Sequence, residues 1–317
     1  MKMKLSGRNA DPGPIVGESD PIKTVKSLVE KAITVQSIPV SIHGASGTGK
    51  ELVARTIHYN SERKNHPFVT VNMGAIPTES VGSELFGHEK GAFPEAYSRA
   101  IGKLEQANSG TLFINEIAEL DTILQFKLFE ALQECEIKRI GSISPVPFDT
   151  RIITATSKDL SEEVRKGNFR EDLYYSLLGI PIILAPVSDR GNDVLLLAEH
   201  FLSLFCQENK LSEKEFSPEA RSKLLSHNYP GNVRELNAIV ELAAVLTNSE
   251  LIEEEHILFS PTQAGLDIFN KDIPLREFEI RIIRHFLEKY NNNVVLVAKK
   301  LEIGKSKIYN MIKNGEI

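Results

Sequence analysis

The 317-residue chain has no tryptophan, only two cysteines, and no run of about 18 consecutive apolar residues. Two lone cysteines, Cys135 and Cys206, supply neither a disulfide framework nor metal-ligand spacing. Without a long apolar run no transmembrane helix is available, so no membrane partner is expected. Residues 1–13 lack the apolar core of a signal peptide, and the expected location is the cytoplasm. Internal repeats and low-complexity segments are also missing. What remains is ordinary: 41% hydrophobic and 25% charged residues, too apolar for a disordered chain. The length exceeds the usual span of one core, so two or three domains are expected.

Charge is short on one side and unevenly spread. The net is −6, yet residues 271–317 hold ten Lys and Arg against six Asp and Glu. That leaves +4 on the tail and −10 on the first 270 residues. A basic tail on an acidic body suits a polyanionic partner for the tail alone. It also suits a merely solvated helical face.

Residues 38–43 (IPVSIH), 67–72 (PFVTVN), 110–115 (GTLFIN) and 151–156 (RIITAT) are short, apolar and β-branched. Each is bounded by Gly, Pro or polar residues, as buried strands are. Between them, residues 51–60 and 122–134 carry helical spacing, the latter with Leu124, Leu128 and Leu132 on one face. Such alternation predicts an α/β fold with a parallel sheet covered by helices. After Pro186 only helical signals follow, at residues 192–209, 218–227 and 233–248, with Ser217-Pro218 as a helix start. A polar stretch at 260–272 reads as a linker, and helical spacing resumes from Pro274.

Gly44, Ala45, Ser46, Gly47, Thr48, Gly49, Lys50 and Glu51 follow the first strand and open a helix. Glycines let the backbone curl so that successive N–H groups point at phosphate oxygens. The helix N-terminus adds positive potential, and Lys50 reaches the outer phosphates. Glu51 stands where the general pattern has a magnesium-binding hydroxyl. A purely structural Gly-rich turn is the weaker alternative, given the lysine at the right spacing.

GASGTGKE, ELFGHEKGAF at 84–93, GTLFINEI at 110–117, GNFREDLYY at 167–175 and YPGNVREL at 229–236 occur in one order. Together, over residues 15–259, they resemble the AAA+ domain of bacterial enhancer-binding proteins, the activators of sigma-54 RNA polymerase. The resemblance implies an α/β P-loop core at 14–185 behind a short tail at 1–13, and an all-helical lid at 186–259. It implies ATP with Mg²⁺ as cofactor, held between subunits of a ring, usually hexameric. Arg234 then matches the lid arginine that contacts nucleotide. Glu116 matches the residue that polarises attacking water, and Asn72 the asparagine that holds that glutamate between turnovers. Arg170 matches the first of two arginines offered to a neighbour's γ-phosphate, although a plain interface salt bridge is an alternative role.

The chain departs from that pattern where chemistry is done. The Asp that organises magnesium is Asn115, which keeps only a hydrogen bond to a metal-bound water, so Asn115 and Glu116 form a weak metal site. The second trans-acting arginine falls at Ser176. The sensor strand's Thr-Asn is Thr156-Ser157. The sigma-54-contacting loop GAFTGA reads Gly91, Ala92, Phe93, Pro94, Glu95, Ala96; Pro94 fixes φ and Glu95 resists the positive φ of the glycine it replaces.

After a linker at 260–274, residues 275–317 resemble the Fis-type three-helix DNA-binding domain of most enhancer-binding proteins. Helices are expected at 276–290, 293–301 and 305–313, with Glu302 at the family's turn glycine. Lys305, Ser306, Lys307, Tyr309, Asn310 and Lys313 would meet phosphates and base edges on the second helix of a helix–turn–helix. A dimerising bundle is the bland alternative. No receiver domain is expected before the core. The expected function is an ATP-binding, DNA-binding regulator with weakened hydrolysis and altered sigma-54 contact, acting as a nucleotide-dependent switch. The alternative is a fully active mechanochemical ATPase. Partners expected are duplex DNA, further copies of the chain in a ring or dimer, and sigma-54 polymerase or an intact relative.

Overall fold

A computed structural model describes residues 12–259 and, further on, residues 280, 282–284, 286–287, 290, 293–301 and 303–313. Five parallel strands form the central sheet: β1 (Val40–Gly44), β2 (Phe68–Asn72), β3 (Thr111–Asn115), β4 (Arg151–Thr156) and β5 (Ile180–Leu184). Their spatial order is β2-β3-β4-β1-β5. All six residues of β4 are buried, as are the first four of β3. Successive side chains of β3 feed opposite cores. Leu112 and Ile114 pack with Leu85, Phe86, Leu128 and Leu173, while Phe113 packs with Val29, Ile42, Ile57 and Ile153. A parallel sheet sandwiched by helices therefore reads as apolar runs, which made these strands visible.

The fifth strand is additional to those expected. Its sequence, IPIIL, contains Pro181, which demotes a strand reading. As the edge of the sheet it needs a ladder on one side only, so the missing N–H is tolerated. Helix α1 (Asp20–Thr34) is also additional; Ile22, Val25, Val29 and Ala32 form its buried stripe. Helices α2 (Lys50–Tyr59) and α3 (Thr122–Glu134) stand at or within one residue of expectation.

Register sets the site. Asn72 pairs with Asn115, Asn115 with Ala155, and His43 with Thr156. The carboxyl ends of β1 to β4 thus align along one edge, where ligands of open α/β sheets bind. Beyond β5 come three lid helices: α4 (Asp193–Asn209), α5 (Pro218–Ser226) and α6 (Asn232–Leu246). Ser217 caps α5 by accepting from Ala220 N at 3.1 Å.

Contacts divide the chain into Met1–Leu258 and Phe259–Ile317. In the second unit Ile283, Leu287, Val294, Val297, Ala298, Ile308 and Met311 form a small core. It includes helices α7 (Val294–Lys300) and α8 (Lys305–Lys313). The unusually apolar start of α7 is split between Val294, buried in that core, and Val295, half exposed. The expected linker at 260–274 and Glu302 lie outside the described residues, as does most of the 1–13 tail.

Candidate functional site

The loop after β1 is curled by two positive-φ glycines, Gly47 (φ 79°) and Gly49 (φ 103°). Gly49 is also the residue before α2, so the first amides of that helix face the loop's concavity. Lys50 is 7% exposed and folds inward. Its Nζ donates to Gly44 O (2.7 Å) and Ala45 O (3.3 Å). Glu116 Oε1 lies 3.4 Å from the same nitrogen. The cradle thus holds its own cation in the place an anion would draw it from.

Asn115 ends β3, and Glu116 follows in the left-handed region (φ 53°). That strained turn aims its carboxylate across the sheet edge. Glu116 Oε2 accepts from Ser157 N and from Ser157 Oγ, both at 3.0 Å. Asn72 is close in register, but its side-chain oxygen accepts from Gly74 N (3.2 Å) and caps the following turn. In this state Ser157, not Asn72, holds the glutamate.

The lid closes on the loop through one turn. Asn232 is buried at positive φ (52°); its Oδ1 accepts from Val187 N and its Nδ2 donates to Ser46 O, each at 3.0 Å. Asn232 N donates to Tyr229 O, closing the turn. Glu235 secures it with Oε2 on Gly231 N (2.7 Å) and Oε1 on His227 Nε2 (2.9 Å). The approach is tight: a Cβ on Gly47 would lie 2.3 Å from Gly231 O. Arg234 is exposed, and its Cβ comes within 3.4 Å of that same point over Gly47. Arg190 adds a bond from Nη2 to Thr48 O (3.1 Å).

Beside the loop lies a mostly apolar cavity of about 300 Å³. Ile15, Val16, Leu52, Leu184, Leu197 and Phe201 line it, with Thr48 and Gly49 at the phosphate-loop side. Its N-terminal wall is tied down by Asp193, 2% exposed, which accepts from Glu18 N (2.6 Å), Ser19 N (3.1 Å) and Ser19 Oγ (2.5 Å). The cavity opens beside Thr48 and Gly49, the residues just before Lys50. An apolar cavity next to a Gly-rich loop is an arrangement that suits a nucleotide.

Comparison with known proteins decides the family. Residues 15–183 match the sigma-54 interaction domain, and residues 188–265 match the AAA+ ATPase lid domain. The regulatory protein AtoC of Escherichia coli K12 is 43% identical over 86% of this chain and 61% of its own. The nitrogen fixation protein AnfA of Azotobacter vinelandii is 39% identical over 93% of this chain and 56% of its own. The crystal structure of NtrX from Brucella abortus in complex with ATP superposes with a TM-score of 0.72 at 29% identity, covering 97% of this chain and 70% of that one. The chain belongs to the sigma-54 interaction domain family. It spans about three-fifths of the length of these two curated relatives.

Against the family's pattern, Arg170 is folded back on its own chain. Its Nε and Nη2 donate to Asp172 Oδ1 and Oδ2 (3.1 and 2.7 Å), and its guanidinium lies 4.9 Å over the Phe126 ring. Asp172 raises the arginine's pKa further, and Arg170 holds the Asp172 carboxyl below its usual range. The backbone N of Arg170 is fixed by buried Gln125 Oε1 (2.8 Å). Ser176 spends its hydroxyl on Leu173 O (2.8 Å).

The family's partner loop, Gly91 to Ala96, is a closed hairpin. Gly91 N donates to Ala96 O and Ala96 N to Phe93 O, both 2.9 Å. The second bond puts Pro94 and Glu95 at the centre of a β-turn. Glu95 is not among the positive-φ residues, so the expected backbone conflict does not arise. Pro94 occupies the turn position that proline favours. The Phe93 ring stands 4.9 Å from His88, whose Nδ1 is 2.6 Å from Ser83 Oγ. Arg139 pins the stem by bridging Glu89 (2.9 Å) and Glu105 (2.8 Å).

The expected metal site does not fit a protein-held magnesium ion. Such ions take one or two carboxylates besides phosphate oxygens and water. Asn115 offers a neutral amide, Glu116 has one oxygen on Ser157 and the other facing Lys50, and Glu51 is paired to Arg55 at 2.8 Å. Among the described residues no three His, Cys, Asp or Glu side chains are grouped to hold a metal.

In the C-terminal unit Lys305, Lys307, Tyr309 and Asn310 are exposed along α8. The side chains of Ser306 and Lys313 lie outside the described residues. Sequence reasoning did not single out Asn232, Asp193, Gln125 or the Ser157–Glu116 contact. Asn232 carried a signal, in the Gly-Asn turn before Arg234. The other three join positions distant in sequence, and nothing local marks them.

Proposed function

We propose that this chain is an ATP-binding, DNA-binding transcription regulator that turns ATP over slowly and contacts sigma-54 differently from intact relatives. One observation carries the reading: the acidic pair at the end of β3 is Asn115-Glu116, with both Glu116 oxygens engaged by Ser157 and Lys50. ATP is the ligand because the cavity suits an adenine and the curled loop suits its phosphates. Glu116 polarises water only after leaving Ser157, and among the described residues no further carboxylate at this strand end compensates for the neutral Asn115. Arg170 reaches a neighbour's phosphate only after leaving Asp172, and Ser176 supplies no second cation. The outcome is a switch set by nucleotide occupancy rather than a motor. Duplex DNA is assigned to the exposed lysines of α8, and further copies of the chain to a ring built on the AAA+ core. The test is steady-state phosphate release by the purified chain with and without duplex DNA. Turnover at or above about 1 s⁻¹, the range of working enzymes, overturns the reading.

A further inference from the structure

We infer that this chain binds the nucleoside triphosphate without needing a divalent cation. The inference rests on the nucleotide reading above and specifies the ionic form of the ligand that the site accepts. A metal ion usually tightens triphosphate binding for two reasons. It bridges the phosphates to a protein carboxylate, and it cancels repulsion between that carboxylate and the γ-phosphate.

Neither reason operates at this sheet edge. Asn115, at the carboxyl end of β3 beside Asn72 in the ladder, is neutral where an acid would face the phosphates. Asn72 is neutral as well and capped on Gly74. Glu116, the remaining acid there, has its Oε1 3.4 Å from Lys50 Nζ and its Oε2 on two donors of Ser157. Glu51 is neutralised by Arg55 on the exposed side of α2. The bare polyanion thus meets Lys50, the first amides of α2 and the exposed Arg234, while Glu116 keeps its two Ser157 donors when Lys50 turns to the phosphates. A bound divalent ion would cancel part of the charge those cations attract and gain no carboxylate in exchange.

The experiment is calorimetric titration of ATP into the full chain, once in EDTA and once in excess MgCl₂. The expected result is affinities that agree within about 3-fold, and an Asn115→Asp variant whose affinity rises at least 10-fold with MgCl₂. A 10-fold change corresponds to about 1.4 kcal/mol. Coupling between ligands is reciprocal, so a second measurement stands if the variant does not fold. The Mg²⁺ affinity of ATP should then be the same free and bound to the wild-type chain. Wild-type binding at least 10-fold tighter in MgCl₂ overturns the inference and leaves the nucleotide reading intact. No ATP binding in either buffer overturns both.

Discussion

On the proposed reading, single residues decide whether the site works as chemistry or as a switch. Replacing Asn115 with Asp restores an acid beside Glu116, and Ser176 with Arg restores a second cation. Because one trans-acting arginine contributes roughly 10³–10⁵ in turnover elsewhere, the double variant should raise phosphate release by orders of magnitude over wild type. Equal rates in a steady-state assay would show that neither position limits hydrolysis. His58 makes a separate residue-scale prediction. It is fully buried with Nδ1 2.9 Å from Thr111 Oγ1, and burial lowers its pKa from 6.5 to about 4, with Arg151, His66 and Arg55 adding repulsion. The folded form keeps the ring neutral while the unfolded chain takes up a proton below pH 6.5. Stability should therefore be unaffected by this group above pH 6.5 and fall by about 3 kcal/mol at most as pH drops to 4. Urea midpoints of wild type and His58→Gln check it; the variant should show a shallower loss across that window.

At the scale of elements, the partner loop and α8 carry the predictions. The turn around Pro94 and Glu95 is locally content, which makes it stiff rather than strained. Pro94→Thr with Glu95→Gly should free the turn, with a loss of about 0.4–1 kcal/mol from added unfolded-state freedom. Hydrogen exchange at the Gly91 and Ala96 amides should accelerate in that variant and in no other part of the core. With the wild-type loop, no open complexes are expected at a sigma-54 promoter in purified transcription, and ATP-dependent opening there would refute this. Helix α8 places Lys305 and Lys307 on its exposed surface. Each phosphate they neutralise contributes about −0.9 to the slope of log affinity against log salt. Lys305→Ala and Lys307→Ala should each flatten the slope by nearly one unit while weakening all duplexes alike. Asn310→Ala, by contrast, should lose discrimination at one base pair, by about 1–3 kcal/mol. Salt-independent binding, or none at low ionic strength, would make α8 an assembly device.

At the scale of the whole first unit, buried polar side chains join lid to core: Arg190 on Thr48 O, Asp193 on Glu18 and Ser19, and Asn232. Asn232 bonds both Val187 N and Ser46 O, so Asn232→Ala leaves the buried Val187 N–H unpaired and releases the more exposed Ser46 carbonyl to water. A loss of about 1–3 kcal/mol in unfolding free energy is expected. Nucleotide affinity should fall with it, because the lid then no longer holds Arg234 over Gly47. A variant that melts lower but binds ATP as tightly as wild type would separate the lid from the site.

Much of this was legible in the residues themselves. Apolar runs bounded by Gly and polar residues located four of the five core strands, since a two-sided sheet demands them. The Gly-rich loop with Lys50 pointed to a phosphate cradle, and its curl rests on glycines at positive φ, Gly47 and Gly49. The neutral Asn115 and uncharged Ser176 were equally plain, because charge is a property of composition. Pro181 concealed β5, since strand rules penalise proline unless the strand is known to be an edge. Backbone φ and the choice of hydrogen-bond partner belonged to the tertiary structure. That Glu95 needs no positive φ follows from the turn it forms with Phe93 and Ala96, whereas Glu116 resting on Ser157 rather than Asn72, and Asp193 anchoring the wall of the cavity, follow from distant segments meeting. A sequence specifies which groups a chain can present, and only packing specifies which of them face each other.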